Sequence, residues 1–214
     1  MKYKVNIGCG RTPTEGWVNF DNTPAINLSH SPLKYWIAKS LRLLTPPQIE
    51  NVEWNKTNKI GFADATKRIP LRDGTAECIY TSHMVEHLSR EGANAFLNEA
   101  LRVLEVGGVL RIAVPDLRIA IGEYEETRDA DKFMEGLLVT APPLNTLKQK
   151  VFLLASGYRH HQWMYDGQSL SKLMTMLGFQ HVSVCEPGET NIALPTNLNL
   201  YERSKDSVYV EGVK

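Results

Sequence analysis

VNIGCGRTPTEGWVNFD, residues 5–21, joins an apolar strand to a glycine turn and then to a second strand that ends in an acid. We predict the first strand over residues 5–8, with Gly8-Cys9-Gly10 as the turn that ends it. Residues 17–21 are apolar and aromatic enough for the second strand. This order of elements is typical of an α/β sheet that binds a nucleoside beside its first strand.

The link between these two strands is short. Six residues, 11–16, separate Gly10 from Trp17, whereas a parallel crossover normally takes about 10–12 residues including its helix. Two arrangements are therefore open. Either the first helix is vestigial, or the two strands are not simple parallel neighbours.

The composition is that of an ordinary globular protein. The chain has 214 residues, 43% of them hydrophobic, which is enough for one domain with a substantial core. Its formal net charge is zero, so nothing favours nucleic acid as a partner. Three widely spaced cysteines, no leader pattern and no apolar run of about 18 residues predict a cytoplasmic protein without a transmembrane segment.

Beyond residue 21, predicted strands alternate with predicted helices. Short buried strands are expected at residues 60–63, 78–81, 109–114, 181–186 and 207–211. Ser89 is a good N-cap for an amphipathic helix that reaches Leu104 and is ended by Gly107-Gly108. The alternation predicts a mostly parallel sheet that is covered on both faces.

Two further segments are expected to be helical. Residues 33–44 carry Leu and Trp at helical spacing, and Pro46-Pro47 should stop that helix before a polar, poorly periodic stretch. Its lysines and arginine also allow a membrane-surface helix, but packing on the sheet is the preferred interpretation. Residues 117–165 are predicted to form a helical insert, broken at Pro142-Pro143 and ending in an aromatic and histidine cluster at 158–165.

The ends of the first three strands could bind a nucleoside. Gly8-x-Gly10 lets ligand atoms approach the backbone, and free amides there would bind an anion. Pro13 replaces the third glycine of a dinucleotide fingerprint, which disfavours a dinucleotide. Asp21 could accept hydrogen bonds from ribose hydroxyls and Asp64 from an adenine amine; alternatively, each acid caps a helix.

Six motifs together resemble those of the class I S-adenosylmethionine-dependent methyltransferases. In chain order they are VNIGCG, GWVNFD, ADAT, IPLRDGTAECIYTSHMVEHL, LNEALRVLEVGGVLRIAVPDL and HQWMYDGQSLSKLMTMLGFQHVSV. The short first link fits a subgroup with the pattern GW-x-N-x-D. The resemblance implies a single Rossmann-like α/β domain over residues 1–214, with a mostly parallel seven-stranded sheet, an antiparallel last strand and helices on both faces.

The same resemblance implies S-adenosylmethionine as cofactor and assigns residues to it. Asn6 stands where the family usually has an acid. The predicted cofactor-binding residues are Asn6; Gly8, Cys9 and Gly10 for the methionine part; Asp21 for the ribose; Asp64 and Ala65 for the adenine; and His83 for the methionine end.

His83-Met84-Val85-Glu86-His87 also matches the HxxEH pattern of zinc peptidases. Two histidines four apart on a helix could bind zinc, with Glu86 as base. That pattern has to lie within a helix, whereas here it follows a predicted strand and precedes the Ser89 cap. We therefore predict no metal ligands and keep a zinc hydrolase only as a third alternative.

The cluster at 158–165 is predicted to form the acceptor pocket. Tyr158, Trp163 and His87 are the expected acceptor contacts, and His160 or His161 could take the proton of a hydroxyl nucleophile. A lid stabilised by aromatic packing is the alternative for this cluster. The predicted function is methyl transfer to a small-molecule or saccharide-type acceptor, and the alternative is a non-catalytic nucleoside-binding protein of the same fold.

Overall fold

Seven strands form one sheet in the order β3-β2-β1-β4-β5-β7-β6. The structure is a computed structural model, and it describes residues 2–140 and 160–214. The strands are β1 (Tyr3–Ile7), β2 (Val18–Asp21), β3 (Ile60–Phe62), β4 (Ala76–Ser82), β5 (Leu104–Pro115), β6 (Gln180–Cys185) and β7 (Ser207–Val213). Strands β1 to β5 are parallel to one another, and β7 runs antiparallel to both β5 and β6. The predicted Rossmann-like fold class is confirmed.

The helices of the described residues connect these strands. They are α1 (Pro24–Ser29), α2 (Pro32–Ser40), α3 (Pro46–Thr57), α4 (Arg90–Val103), α5 (Leu117–Thr127), α6 (Ala130–Leu137) and α7 (Gly167–Leu177). A single 3₁₀ turn, Val85–His87, lies between β4 and α4. None of these helices has the length and apolar content needed to cross a bilayer.

The short link between β1 and β2 contains no helix, yet the two strands are parallel neighbours, with Val5 beside Val18. Two buried asparagines hold the link instead. The Asn6 side chain donates to Thr14 Oγ1 at 3.0 Å, and Asn19 accepts from the Thr14 amide at 2.8 Å while donating to the Thr14 carbonyl at 3.0 Å. These bonds satisfy polar groups that a helix would otherwise satisfy. The vestigial-helix alternative is therefore the correct one.

Trp17 anchors the same link to the far side of the sheet. It is 8% exposed and packs in a cluster with Tyr80, Ile192 and Leu198. Its indole nitrogen donates to the Thr196 carbonyl at 2.8 Å. The loop between β6 and β7 is thereby tied to the beginning of β2, so one face of β4 is covered by loop residues.

The main core lies where α4 and α7 pack on the sheet. Ala93, Phe96, Leu97 and Ala100 of α4 are fully buried, as the periodicity predicts. Ser89 is its N-cap and accepts from the Gly92 amide at 3.1 Å. The helix ends earlier than predicted, because the chain leaves it after Val103 and enters the extended strand β5, which includes the two glycines expected to end the helix.

Two expectations about residues 33–57 are wrong. Pro46-Pro47 begins a helix rather than ending one: α2 already ends at Ser40, and both prolines lie in the first turn of α3, where the missing N–H costs nothing. The apolar stripe of α2 does not pack on the sheet, since Leu33, Trp36 and Leu41 are 68%, 66% and 64% exposed. Tyr35 is the one buried residue of that helix, and it packs beside α1 and α3 rather than on the sheet.

The predicted insert begins with two helices, α5 and α6. Asp116 and Asp129 cap them, each accepting a backbone amide hydrogen bond. The predicted break at Pro142-Pro143 and the predicted acceptor residue Tyr158 lie outside the described residues.

Candidate functional site

A cavity of about 640 Å³ opens across the carboxyl ends of the first four parallel strands. Ligands of open α/β sheets bind at this edge, where loops and helix N-termini converge. The lining includes six of the predicted site residues: Gly8, Asp21, Asp64, Ala65, His83 and His87. No lysine or arginine of the described residues lines it, which suits a cofactor that lacks phosphates.

The glycine turn does not offer the free amides that the sequence suggested. The Gly8 and Cys9 amides donate to the Phe20 carbonyl at 2.8 and 3.2 Å. The Gly10 amide donates to Asp21 Oδ2 at 3.0 Å. The missing first helix explains this, because the turn folds directly back onto β2 and finds its acceptors there. That expectation is corrected: close backbone approach remains, but these three donors are already bonded.

Gly8 is required by both backbone and packing. Its φ is +69°, a conformation that residues with a side chain rarely adopt. A Cβ at this position would lie 2.8 Å from Met84 Cγ. Gly10 also has a positive φ, +51°, but no atom lies within 4 Å of its would-be Cβ. Gly8 is therefore required by backbone conformation and by packing, whereas Gly10 is required by backbone conformation alone.

Asp21 links the turn to the next loop. Its Oδ2 accepts from Gly10, and its Oδ1 accepts from the Thr23 amide at 2.7 Å and from the Thr23 hydroxyl. The side chain is therefore held in one orientation at the rim of the cavity. A carboxylate has about four lone-pair sites, so three bonds leave acceptor capacity for a ligand hydroxyl.

Asp64 and Ala65 follow β3 and line the same cavity. Asp64 accepts from the Thr66 hydroxyl at 2.6 Å and pairs with Lys67 at 3.0 Å. Burial alone would raise the pKa of Asp64, but the bonds from Thr66 and Lys67 outweigh it, and the pKa lies below its usual value. The carboxylate is thus ionised and can accept a hydrogen bond from a ligand in the cavity.

Three predicted cofactor residues do not line this cavity: Gly10, Asn6 and Cys9. Asn6 is 2% exposed, and its amide is used by Thr12 and Thr14 of the short link. The Cys9 side chain is 3% exposed and packs with Ile26 and Ile60. Burial raises the pKa of the Cys9 thiol to about 12, so it stays neutral. Both buried side chains therefore support the glycine turn without lining the cavity.

His83 stands at the end of β4 with a φ of +50°, a strained conformation for a side-chain-bearing residue. Arg203 Nη1 lies 3.1 Å from His83 Nδ1, and because a guanidinium only donates, Nδ1 is the acceptor. The other ring nitrogen then donates to Ser207 Oγ at 2.9 Å. Both nitrogens are engaged, so His83 is held in place by β7 and the loop before it.

A second cavity, of about 490 Å³, lies on the other side of His83. It is formed by α5, α6 and the segment after residue 160, and His83 and His161 lie in its wall. Polar and aromatic side chains also line it: Asp116, Glu123, Tyr124, Lys132, Phe133, Glu135, Arg203 and Asp206. His83 is common to the two cavities, which therefore meet at the end of β4.

Glu86, His87 and His161 form a polar cluster between the two cavities. His87 lines the first cavity and His161 the second. The two imidazole rings lie 5.0 Å apart, and Glu86 is fully buried beside them. Burial lowers the pKa of His161, and His87 adds to this, although the Glu86 carboxylate opposes it. His161 is therefore neutral near pH 7.

The backbone joins the two segments that carry this cluster. The Glu86 carbonyl accepts from the Gln162 and Trp163 amides at 2.7 and 3.2 Å. The Gln162 side chain donates to the His87 carbonyl at 2.6 Å. From the sequence, Glu86 was considered only as part of a zinc-peptidase motif. Nothing in the residues around it indicates that it lies beside His161.

The other residues of the predicted acceptor pocket are placed differently. Trp163 is 45% exposed, packs against the Arg90 guanidinium and lines neither cavity. His160 contributes its carbonyl, which accepts from His87 Nδ1 at 3.2 Å. His161 is the predicted residue that reaches the second cavity.

The HxxEH motif does not have the geometry of a zinc peptidase. His83 ends on strained backbone after β4, and Glu86 and His87 belong to a 3₁₀ turn of three residues. The two histidines are therefore not successive turns of one helix, which that kind of zinc site requires.

A sheet of this order, with a ligand cavity across the ends of its first four strands, defines an α/β protein that binds a nucleoside-type cofactor. Residues 5–112, half of the chain, match the family model described as a methyltransferase domain. The chain belongs to this family and is an S-adenosylmethionine-dependent methyltransferase. A search of curated proteins gave no significant match.

Solved structures support the fold. A methyltransferase from Methanosarcina mazei is 13% identical with a TM-score of 0.52, covering 100% of this chain and 92% of the other. One from Thermotoga maritima is 17% identical with a TM-score of 0.50, covering 100% and 82%. One from Mesorhizobium loti is 12% identical with a TM-score of 0.50, covering 99% and 90%. All three are described as dependent on S-adenosylmethionine.

Proposed function

We propose that this enzyme transfers the methyl group to a hydroxyl of a small polar acceptor of saccharide type. One observation carries the proposal: the cofactor cavity and a second, polar cavity meet at His83, with a histidine and glutamate cluster between them. A donor in one cavity and an acceptor in the other would face each other there.

The lining of the second cavity favours a hydroxyl-rich acceptor. Four carboxylates lie in its wall, those of Asp116, Glu123, Glu135 and Asp206. Carboxylates accept hydrogen bonds from sugar hydroxyls, and the Tyr124–Phe133 aromatic pair, with centroids 5.2 Å apart, offers an apolar face beside them. Lys132 and Arg203 limit the negative charge and could hold an anionic substituent.

In the first cavity, we propose that Asp21 accepts from the cofactor ribose and Asp64 from the adenine amine, with Ala65 against the ring. His83 and the backbone of Gly8 and Gly10 would border the methionine part. Acidic and neutral lining suits a ligand that carries a sulfonium and no phosphate. The GW-x-N-x-D pattern would then mark a subgroup whose residues replace the first helix rather than touch the cofactor.

When bound, S-adenosylmethionine supplies a methyl group on a positively charged sulfur. The protein's own task is then to orient the hydroxyl and to accept its proton, because transfer is a single displacement that depends on positioning. We assign the removal of that proton to the Glu86, His87 and His161 cluster, which lies at the meeting point of the cavities.

Calorimetry with S-adenosylhomocysteine tests the cofactor site. Asp64→Asn should weaken binding by about 10- to 100-fold, because one hydrogen bond to a charged acceptor is lost. Glu105→Gln is the matched control: it changes an acid at the opposite end of the sheet, paired with Lys2. No binding of the wild-type protein at millimolar ligand would remove the proposal.

A panel of acceptors with labelled S-adenosylmethionine tests the acceptor class. Monosaccharides, nucleotide sugars and simple polyols should be methylated, and amines and nucleic acids should not. Methylation confined to amines or nucleic acid would refute the saccharide assignment. Cofactor binding without turnover on any acceptor would favour the non-catalytic alternative.

A further inference from the structure

Glu86 is an uncompensated buried acid. Its side chain is 1% exposed, and neither carboxylate oxygen has a hydrogen-bond partner among the described residues. His83 Nδ1 lies 3.3 Å from Oε1, but it already accepts from Arg203 and has no proton to donate. A positive charge close to a buried carboxylate in this situation would stabilise it.

Histidine nitrogens surround the same carboxylate. His87 Nδ1 donates to the His160 carbonyl at 3.2 Å, which leaves the lone pair on Nε2, 4.0 Å from Glu86 Oε1. His161 is 7% exposed, and its Nδ1 has no partner in residues 2–140 and 160–214. One ligand atom from each of Glu86, His87 and His161 lies within 4.8 Å of the other two.

We propose that Glu86, His87 and His161 bind a divalent first-row cation between the two cavities. Two imidazoles and one carboxylate form the donor set of many catalytic zinc and iron sites, which keep positions open for water or substrate. The cation would supply the missing charge beside Glu86. This replaces the expectation that the protein has no metal ligands.

The surroundings of the cluster resemble the support of a metal centre. A ligand histidine usually donates its second nitrogen to a carbonyl or carboxylate, and His87 does this with the His160 carbonyl. The Gln162 side chain and the amides of residues 162 and 163 hold the two ligand-bearing segments together. The three ligands are therefore positioned before any ion enters.

This site would deepen the proposed function, and in that part it rests on it. A cation between the cavities would bind the acceptor hydroxyl and ease the loss of its proton, as metal ions do for bound water. The proton passes to solvent water. The oxygen–carbon bond forms while the carbon–sulfur bond breaks, and its electron pair stays on the sulfur. His161 would then be a ligand rather than the proton acceptor.

Titration of the untagged protein with Co²⁺, followed by visible absorption and calorimetry, tests the site. We expect one ion per chain, a visible band from an ordered site, and displacement by Zn²⁺. His161→Ala and Glu86→Gln should each weaken binding by about 100-fold or more, since even a change behind a ligand costs about 10- to 100-fold. His181→Ala, an exposed histidine on β6, is the matched control and should bind as the wild type does.

Other outcomes are equally informative. Binding at millimolar Co²⁺ only, or equal loss in the His181 control, would overturn the site. If circular dichroism shows that Glu86→Gln does not fold, the cobalt affinities of His161→Ala and His87→Ala decide whether the site exists.

Chelation should abolish methyl transfer but leave S-adenosylhomocysteine binding intact. Methyl transfer that survives complete chelation would overturn the catalytic role of the cation. Cobalt binding without any cofactor binding would instead refute the proposed function and leave the metal site standing.

Discussion

The Gly8 and Gly10 pair provides a sharp test of how the glycine turn after β1 is built. Both glycines have a positive φ, +69° and +51°, so alanine at either position carries the same kind of backbone penalty, about 1–2 kcal/mol. Both substitutions also reduce the freedom of the unfolded chain equally. The difference between the two variants therefore isolates packing.

Packing distinguishes the two positions clearly. A Cβ at Gly8 would lie 2.8 and 2.9 Å from Met84 Cγ and Cβ, while a Cβ at Gly10 would meet nothing within 4 Å. Carbon atoms prefer separations of about 3.5–4.0 Å. Overpacking of this kind costs about 1–3 kcal/mol. Gly8→Ala should thus destabilise by about 2–5 kcal/mol and Gly10→Ala by about 1–2 kcal/mol.

Urea unfolding followed by tryptophan fluorescence measures both values, provided that the m-values agree. Met84 also lines the first cavity, where we propose that the cofactor binds, so Gly8→Ala should weaken S-adenosylhomocysteine binding more than Gly10→Ala does. Equal free energies of unfolding for the two variants, or a larger loss in Gly10→Ala, would refute the packing argument.

Three further predictions concern buried groups. Glu211→Gln should destabilise the protein by about 3–5 kcal/mol, because it leaves the fully buried Arg111 guanidinium, 2.7 Å away, without its charged partner; urea unfolding measures this. Burial raises the pKa of both Cys9 and Cys78 to about 12, so these thiols ionise first in the unfolded chain. The free energy of unfolding should fall by about 1.4 kcal/mol per thiol from about pH 7.5 to about pH 9.5. Asn6→Asp should cost about 1–3 kcal/mol, although it restores the acid usual in the family, because a carboxylate cannot donate to the Thr12 carbonyl.

Each of these predictions has a control. Glu105→Gln breaks an exposed ion pair and should change stability by less than about 1 kcal/mol; a loss equal to that of Glu211→Gln would contradict the burial argument. The double variant with alanine at both buried cysteines should show a flatter pH dependence of the free energy of unfolding. An unchanged slope would mean that other groups cause the pH dependence. An Asn6→Asp protein as stable as the wild type would mean that the donated bond is dispensable.

Local patterns predicted the elements whose packing follows from their own periodicity. The apolar repeat of α4 and its Ser89 cap placed that helix, and short buried runs placed β4 and β7. The acids Asp21 and Asp64 were predicted at strand ends, and they do line one cavity. Parallel strands place their carboxyl ends at one edge, so these positions follow from topology alone.

The structure decided between environments that the residue type alone left open. The apolar stripe of α2 predicts a helix that packs on the sheet. Trp36 is nevertheless exposed, because that helix lies beside α1 instead of on the sheet. Asn6 was predicted to bind the cofactor, and the structure shows its amide donating to Thr12 and Thr14 of the short link that lacks a helix. In both cases the residue type was compatible with two environments.

The sequence by itself determined the succession of strands and helices along the chain and the acids that follow β2 and β3, since each depends on residues close together, and its motifs indicated the class of fold. The spatial order of the strands depends on pairing between distant segments, such as β1 with β4, and only the tertiary structure decided it. Only the tertiary structure decided which polar groups around Gly8 to Asp21 are already bonded and which remain for a ligand. It alone brought His161 to Glu86 and His87. Hydrogen bonds and charges are satisfied by whatever folding places nearby, and periodicity within one element carries no information about that.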